Sequence, residues 1–226
     1  MSEHHHHDHS HGHGHDGHAH APGERHPFQP DDDDALTYPR RLEIALRELL
    51  IEKQVISADE VRSAIEDMDA RTPARGAQVV ARAWVDPAFK VQLLADANAA
   101  CASLGLDLGV SELKLVAVEN TAAVHHVIVC TLCSCYPRAL LGLPPGWYKS
   151  FAYRSRVVKE PRAVLAEFGL DLAQDVALRV HDSTADLRYI VVPMRPQGTE
   201  SMGEAELAAL VTRDSMIGVA QARRPS

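Results

Sequence analysis

Apolar positions in the first third of the chain fall at helical spacing. Leu42, Ile44, Leu46, Leu49, Leu50 and Ile51 recur so that one side of a helix stays apolar. Ser57-Ala58-Asp59-Glu60 is a capping-box sequence, in which the Ser hydroxyl and the Glu carboxylate satisfy free amides at a helix start. Val61, Ile65 and Met68 continue the apolar side of that second helix. A third helix is predicted over 73–84. A fourth begins with Asp86 as cap and Pro87 in its first turn, and runs to near Gly105.

After Gly109 the period changes. Residues 113–118 and 124–129 read as strands rich in β-branched side chains, as do 176–181 and 188–192. A short helix fits between Cys135 and Gly142. Two more are expected over 161–168, with Gly169 as its stop, and over 204–211. The predicted fold is α/β (α+β). A helical N-terminal arm over 35–105 leads into a layered α/β domain over 106–220, with a short C-terminal tail over 221–226 and no internal repeat.

Before residue 35 the pattern stops. Beyond Met1 that stretch has one large apolar side chain, Phe28, and cannot form a core. It holds eight acids against one base, Arg25, so it carries −7 of the chain's formal −8 and leaves the other 192 residues at −1. Eleven of the fourteen histidines also lie there, from His4 to His26. His-Gly and His-Asp alternation suits a disordered segment that binds Ni²⁺, Co²⁺ or Zn²⁺ loosely and buffers metal; an expression tag is the plainer reading. The run from Asp31 to Asp34 reads as a solvated linker.

The near-neutral body has no basic surplus, which argues against nucleic acid as partner. No apolar run approaches the roughly 18–20 residues that span a bilayer, and no secretory signal is evident, so no membrane partner and a cytoplasmic location are expected. Four cysteines are too few for a disulfide scaffold of this size. Cys101 stands alone, while Cys130, Cys133 and Cys135 fall within six residues at the end of a predicted strand. Such a cluster reads as a metal or redox site. A Cys-x-x-Cys-x-Cys segment can wrap three sulfurs around one ion, and its tightness brings the amides of Ser134 and Cys135 close to that ion. A structural zinc site needs a fourth ligand, which Cys101 or a His would have to supply. An iron–sulfur cluster wants four thiolates in most cases, and a thioredoxin-like pair leaves Cys135 unexplained.

Cys130-Thr131-Leu132-Cys133-Ser134-Cys135 resembles the metal-binding claw of the nitrile hydratase α subunit. The likeness extends to Ala83-Trp84-Val85-Asp86-Pro87, Val118-Glu119-Asn120-Thr121 and Val124-His125-His126-Val127 upstream. Downstream it includes Gly142-Leu143-Pro144-Pro145-Gly146-Trp147-Tyr148-Lys149, Tyr153-Arg154-Ser155-Arg156, Arg195-Pro196-Gln197-Gly198-Thr199 and Ser215-Met216-Ile217-Gly218. It covers roughly 37–220. The resemblance implies sulfur ligands from Cys130, Cys133 and Cys135, main-chain nitrogen ligands from Ser134 and Cys135, and a sixth position open to water or substrate. Thr131 is similar to the cobalt branch of the family, so non-corrin Co³⁺ is implied over Fe³⁺. By position, Cys133 would be carried as sulfinic and Cys135 as sulfenic acid, low rungs of the cysteine oxidation ladder.

The implied activity is hydration of a nitrile to an amide, as a heterodimer or heterotetramer with a β subunit and with an activator or metallochaperone as a further partner. Cys135 would be the catalytic group, acting as nucleophile or as general base toward water. Trp147 is expected either to line the substrate pocket or to pack in the core. One of His125 and His126 should face inward, as a core histidine or as a support for the metal site. Glu119 is either a hydrogen-bond anchor near the claw or a strand-end carboxylate. Arg138 departs from the usual α subunit and is closer to the thiocyanate hydrolase γ subunit, where a cation suits an anionic substrate. A non-catalytic cobalt-binding protein remains the reading from another class. The 35–72 segment is expected to wrap a partner subunit or to pack back on its own domain.

Overall fold

The computed structural model describes residues 37–108 and 114–225. The His-rich segment and its metal-buffering reading lie outside the described residues. Helix α1 (Tyr38–Glu52) and helix α2 (Ala58–Asp69) contain no buried residue. The capping box of α2 forms as read: the Glu60 amide donates to Ser57 Oγ at 3.1 Å and the Ser57 amide to Glu60 Oε2 at 2.7 Å. Those bonds hold the Glu60 carboxyl below its ordinary range.

Burial begins at α3 (Ala74–Val85), whose Gly76, Ala77, Val79, Val80, Ala81 and Ala83 are all buried. The 86–105 stretch is two helices, where one was predicted: α4 (Pro87–Ala95) and α5 (Ala97–Ser103). Asp96 breaks it. Its backbone is extended (φ −148, ψ 92) and its carboxylate accepts the Ala99 amide at 2.9 Å, so it ends one helix and caps the next.

Four strands form two parallel pairs. β1 (Lys114–Glu119) pairs with β4 (Leu187–Val192), and β2 (Val124–Val129) pairs with β3 (Ala177–Asp182). Parallel partners require long crossovers. Helices α6 (Arg138–Leu141), α7 (Gly146–Lys149), α8 (Phe151–Arg156) and α9 (Pro161–Glu167) lie between β2 and β3, and α10 (Glu204–Leu210) and α11 (Arg213–Ile217) follow β4. Of these, α7, α8 and α11 had no counterpart in the periodicity. One core joins Val79 and Val80 of α3, Leu93 of α4, Val127 to Val129 of β2, Ile190 to Val192 of β4 and Met216 of α11. The residues from α3 onward therefore share a core with the strands.

Candidate metal centre

Val127, Ile128, Val129 and Cys130 are all buried, so β2 delivers Cys130 from inside the core. The chain then turns outward, and Leu132 is 88% exposed. The turn folds back on its first sulfur, with the Cys133 amide donating to Cys130 Sγ at 3.2 Å. Cys133 Sγ lies 3.5 Å from Cys130 Sγ and 3.2 Å from Cys135 Sγ, and all three sulfurs lie within 4.8 Å of one another. Cys133 is exposed and Cys135 half-buried, so the claw opens to the surface.

The Cys133 and Cys135 thiols titrate together. Hydrogen bonds from Cys135, then Cys130, then the Ser134 amide bring the Cys133 thiol down to about 7, and the Cys135 amide adds to them. Burial, then the contact with Cys133, pushes the Cys135 thiol up to about 12, against the pull of the Arg188 charge. Sulfurs this close cannot all ionise without a cation among them. The donor set suits a soft-ligand metal: three convergent thiols, with the amides of Ser134 and Cys135 directed at the central one.

Three side chains from distant parts of the sequence hold the claw backbone. The β2–β3 register sets Val129 opposite Asp182, and Asp182 takes the Thr131 amide at 2.9 Å and its hydroxyl at 2.5 Å. Arg154 of α8 donates to the carbonyls of Thr131 (3.4 Å) and Cys133 (3.2 Å). Tyr148 of α7 donates to the Cys135 carbonyl at 2.9 Å. Asp182 was not singled out from the sequence, and Arg154 stood in a family-like segment without a role, since nothing in the spacing ties either to the claw.

A cavity of about 320 Å³ adjoins the claw, lined by Cys133, Ser134, Cys135, Arg138 and apolar side chains including Leu115 and Leu140. Trp147 does not line it. Its ring packs edge-on against Tyr153 and Phe168, with centroids 4.9 and 4.7 Å apart. Glu119 ends β1 and pairs with Lys90 at 2.9 Å. His125 is the inward histidine of its pair; Nε2 donates to the Gly218 carbonyl at 2.7 Å, which leaves Nδ1 to accept from Asn120 at 3.1 Å. Burial lowers its pKa, against that Gly218 bond. His126 is half-buried and bonds His181 at 2.7 Å. None of these four residues lines the claw cavity. Cys101 is buried in α5, its thiol pushed up to about 12 by burial, and lies apart from the claw cluster.

A surface-opening claw of three converging thiols on an α+β scaffold defines a class of metal-binding protein. The sequence model described as "Nitrile hydratase, alpha chain" matches residues 37–220. This chain belongs to the nitrile hydratase α chain family. It is 51% identical over 184 residues to the low-molecular-weight cobalt-containing nitrile hydratase subunit α of Rhodococcus rhodochrous, covering 80% of this chain and 88% of that one. It is 44% identical over 189 residues to the thiocyanate hydrolase subunit γ of Thiobacillus thioparus, covering 79% and 78%. Among solved structures, a double histidine mutant of the Fe-type nitrile hydratase from Comamonas testosteroni Ni1 superposes with a TM-score of 0.77 at 44% identity, covering 83% of this chain and 91% of that one. Among the described residues, no helix is long and apolar enough to cross a membrane.

Proposed function

We propose that this chain is the α subunit of a cobalt nitrile hydratase, adding water across a C≡N bond to give an amide in a complex with a β subunit. The observation that carries this reading is the convergence of three sulfurs within 4.8 Å at the end of β2, in a chain half identical to a cobalt-containing α subunit. Cys130, Cys133 and Cys135 would hold Co³⁺, with the main-chain nitrogens of Ser134 and Cys135. When bound, such an ion supplies Lewis acidity toward a nitrile or a water. Asp182, Arg154 and Tyr148 fix the claw backbone, so the sulfurs converge without reorganising. Cys135, carried as a sulfenate beside Cys133 as a sulfinate, would act as nucleophile or as general base.

The exposed claw and the uncovered apolar sides of α1 and α2 support a partner subunit that completes the site. Cys135→Ser in the complex should lower turnover by about a thousandfold or more, the scale lost when a covalent or acid–base group is removed. A variant with near-normal rate would defeat the proposal. Intact mass should show added oxygen on Cys133 and Cys135; plain thiols with no copurifying partner would indicate a cobalt-holding protein.

A second reading, thiocyanate hydrolysis, is favoured by Arg138 in the cavity wall and by the 44% identity to a γ subunit. Turnover of acrylonitrile against thiocyanate by the complex separates the two. For the His-rich segment, deletion of residues 1–26 should reduce cobalt loading under metal limitation; unchanged loading removes it from metal supply.

A further inference from the structure

The cavity beside the claw carries more positive charge than the claw needs. Three arginines line it: Arg71 from the turn between α2 and α3, Arg138 at the start of α6, and Arg188 on β4. No lining residue is acidic, and no ion pair joins any of the three to a carboxylate among the described residues. Arg188 is tied to its own strand, its Nη1 donating to the Leu187 carbonyl at 3.4 Å. Arg71 is half-buried and Arg138 exposed in the cavity wall.

Their placement is enforced by backbone packing. Gly142 closes α6 with φ +72, and a Cβ there would lie 2.3 Å from the Arg71 carbonyl oxygen. The Arg71 turn is thus seated on the end of the helix that begins with Arg138. Two arginines in one cavity wall with no acid beside them favour an anion as occupant. A guanidinium fork matches a carboxylate best, through paired N–H···O bonds.

The room beside the claw favours an anion longer than thiocyanate. At roughly 30 Å³ per water, 320 Å³ holds about ten non-hydrogen atoms. Thiocyanate has three and leaves most of the space empty. The apolar wall contributed by Leu108, Leu115 and Leu140 suits a methylene chain between two polar ends.

We propose that Arg71 and Arg138 form a carboxylate subsite, and that the preferred substrates are ω-cyano carboxylates, with the nitrile at the claw and the carboxylate on the two arginines. This rests on the nitrile hydratase reading and names its substrate class. Hydration itself is unchanged: water adds across C≡N, and the carboxylate takes no part in bond making.

The test uses the metal-loaded complex with 4-cyanobutanoate, pentanenitrile and thiocyanate. The expected kcat/KM for 4-cyanobutanoate exceeds that for pentanenitrile by about tenfold at low salt, and the gap narrows as salt screens the arginines. In Arg71→Gln/Arg138→Gln the ratio of the two should fall about tenfold, mainly through KM; Arg71→Lys/Arg138→Lys should recover part of it. Calorimetry with pentanoate, which has the chain and carboxylate but no nitrile, should show salt-sensitive binding that the double Gln variant loses. Equal or better use of pentanenitrile, faster turnover of thiocyanate, or no pentanoate binding would each overturn the subsite. Failure to hydrate either nitrile would instead overturn the activity on which it rests.

Discussion

Helices α2 and α3 are both twelve residues long, sit four residues apart and carry an apolar stripe, yet α3 buries six residues and α2 none. The difference lies in side-chain size. The α3 stripe is Gly, Ala and Val, so other segments approach closely: a Cβ on Gly76 would come within 2.7 Å of Met216 Sδ and 2.8 Å of a Leu141 methyl. The stripe of α2 is Val61, Ile65 and Met68, and Ile65 and Met68 remain more than 40% exposed. Tyr38, Leu42, Leu46 and Leu49 of α1 are exposed in the same way. Periodicity shows that a helix needs cover. Small residues let the cover pack closely against α3, and large exposed ones leave α1 and α2 open among the described residues.

The largest effect should come from the uncovered side. Leu42→Asp with Leu46→Asp should weaken assembly with the partner subunit by about a thousandfold, if each acts as a buried anchor worth about 2 kcal/mol. The melting temperature of the isolated chain should move by no more than about 2 °C, because neither side chain is buried within it. Ultracentrifugation and calorimetry of the same variant read the two quantities. A large drop in melting temperature with assembly intact would assign the arm to its own body.

A middle-sized effect tests the covered side. Gly76→Val would force Met216, Leu141 and the Leu140 carbonyl apart, costing about 1–3 kcal/mol by overpacking. Ala64→Val, on an exposed position of α2, should stay within about 0.5 kcal/mol. Equal losses for the two, by chemical denaturation, would show that stripe size does not distinguish these helices.

Much of this organisation was legible because its causes are local. The Ser57 cap, the Asp86-Pro87 start and the β-branched run at 124–129 each carry their physics in a few adjacent residues. The break at Asp96 was missed because an apolar pattern continues across it, although an acid three residues before a free amide can end one helix and cap another. The three sulfurs were legible for the same local reason. The residues that hold their backbone were not: Asp182 reaches Thr131 only through the β2–β3 register, and Arg154 only through the packing of α8. Trp147 stood within a motif resembling the family, yet its ring packs among Tyr153 and Phe168, where a sequence motif cannot say which way a side chain faces.

The smallest effect separates arm from body by pH. The described residues hold three histidines, His125, His126 and His181, all on β2 and β3 and none on the arm. His126 is brought down from 6.5 to about 4, by burial first and then by the charges of His181, Arg179 and His125, and His181 is lowered by burial and Arg179. Their 2.7 Å bond needs one ring nitrogen without a proton, so it cannot survive protonation of both rings. In the unfolded chain His126 takes up its proton as pH falls below about 6.5, whereas in the folded chain it stays neutral until about 4. The unfolded state therefore binds more protons in that window, and the stability present above pH 6.5 is lost progressively toward pH 4. Half-exposure of both rings keeps the loss small. His181→Gln should flatten the fall in melting temperature between pH 6.5 and 4.5, because it removes one lowered group and relieves the other. Leu42→Asp should leave that slope unchanged. Identical slopes for His181→Gln and the unaltered chain would place the acid sensitivity among the carboxylates instead of in this pair.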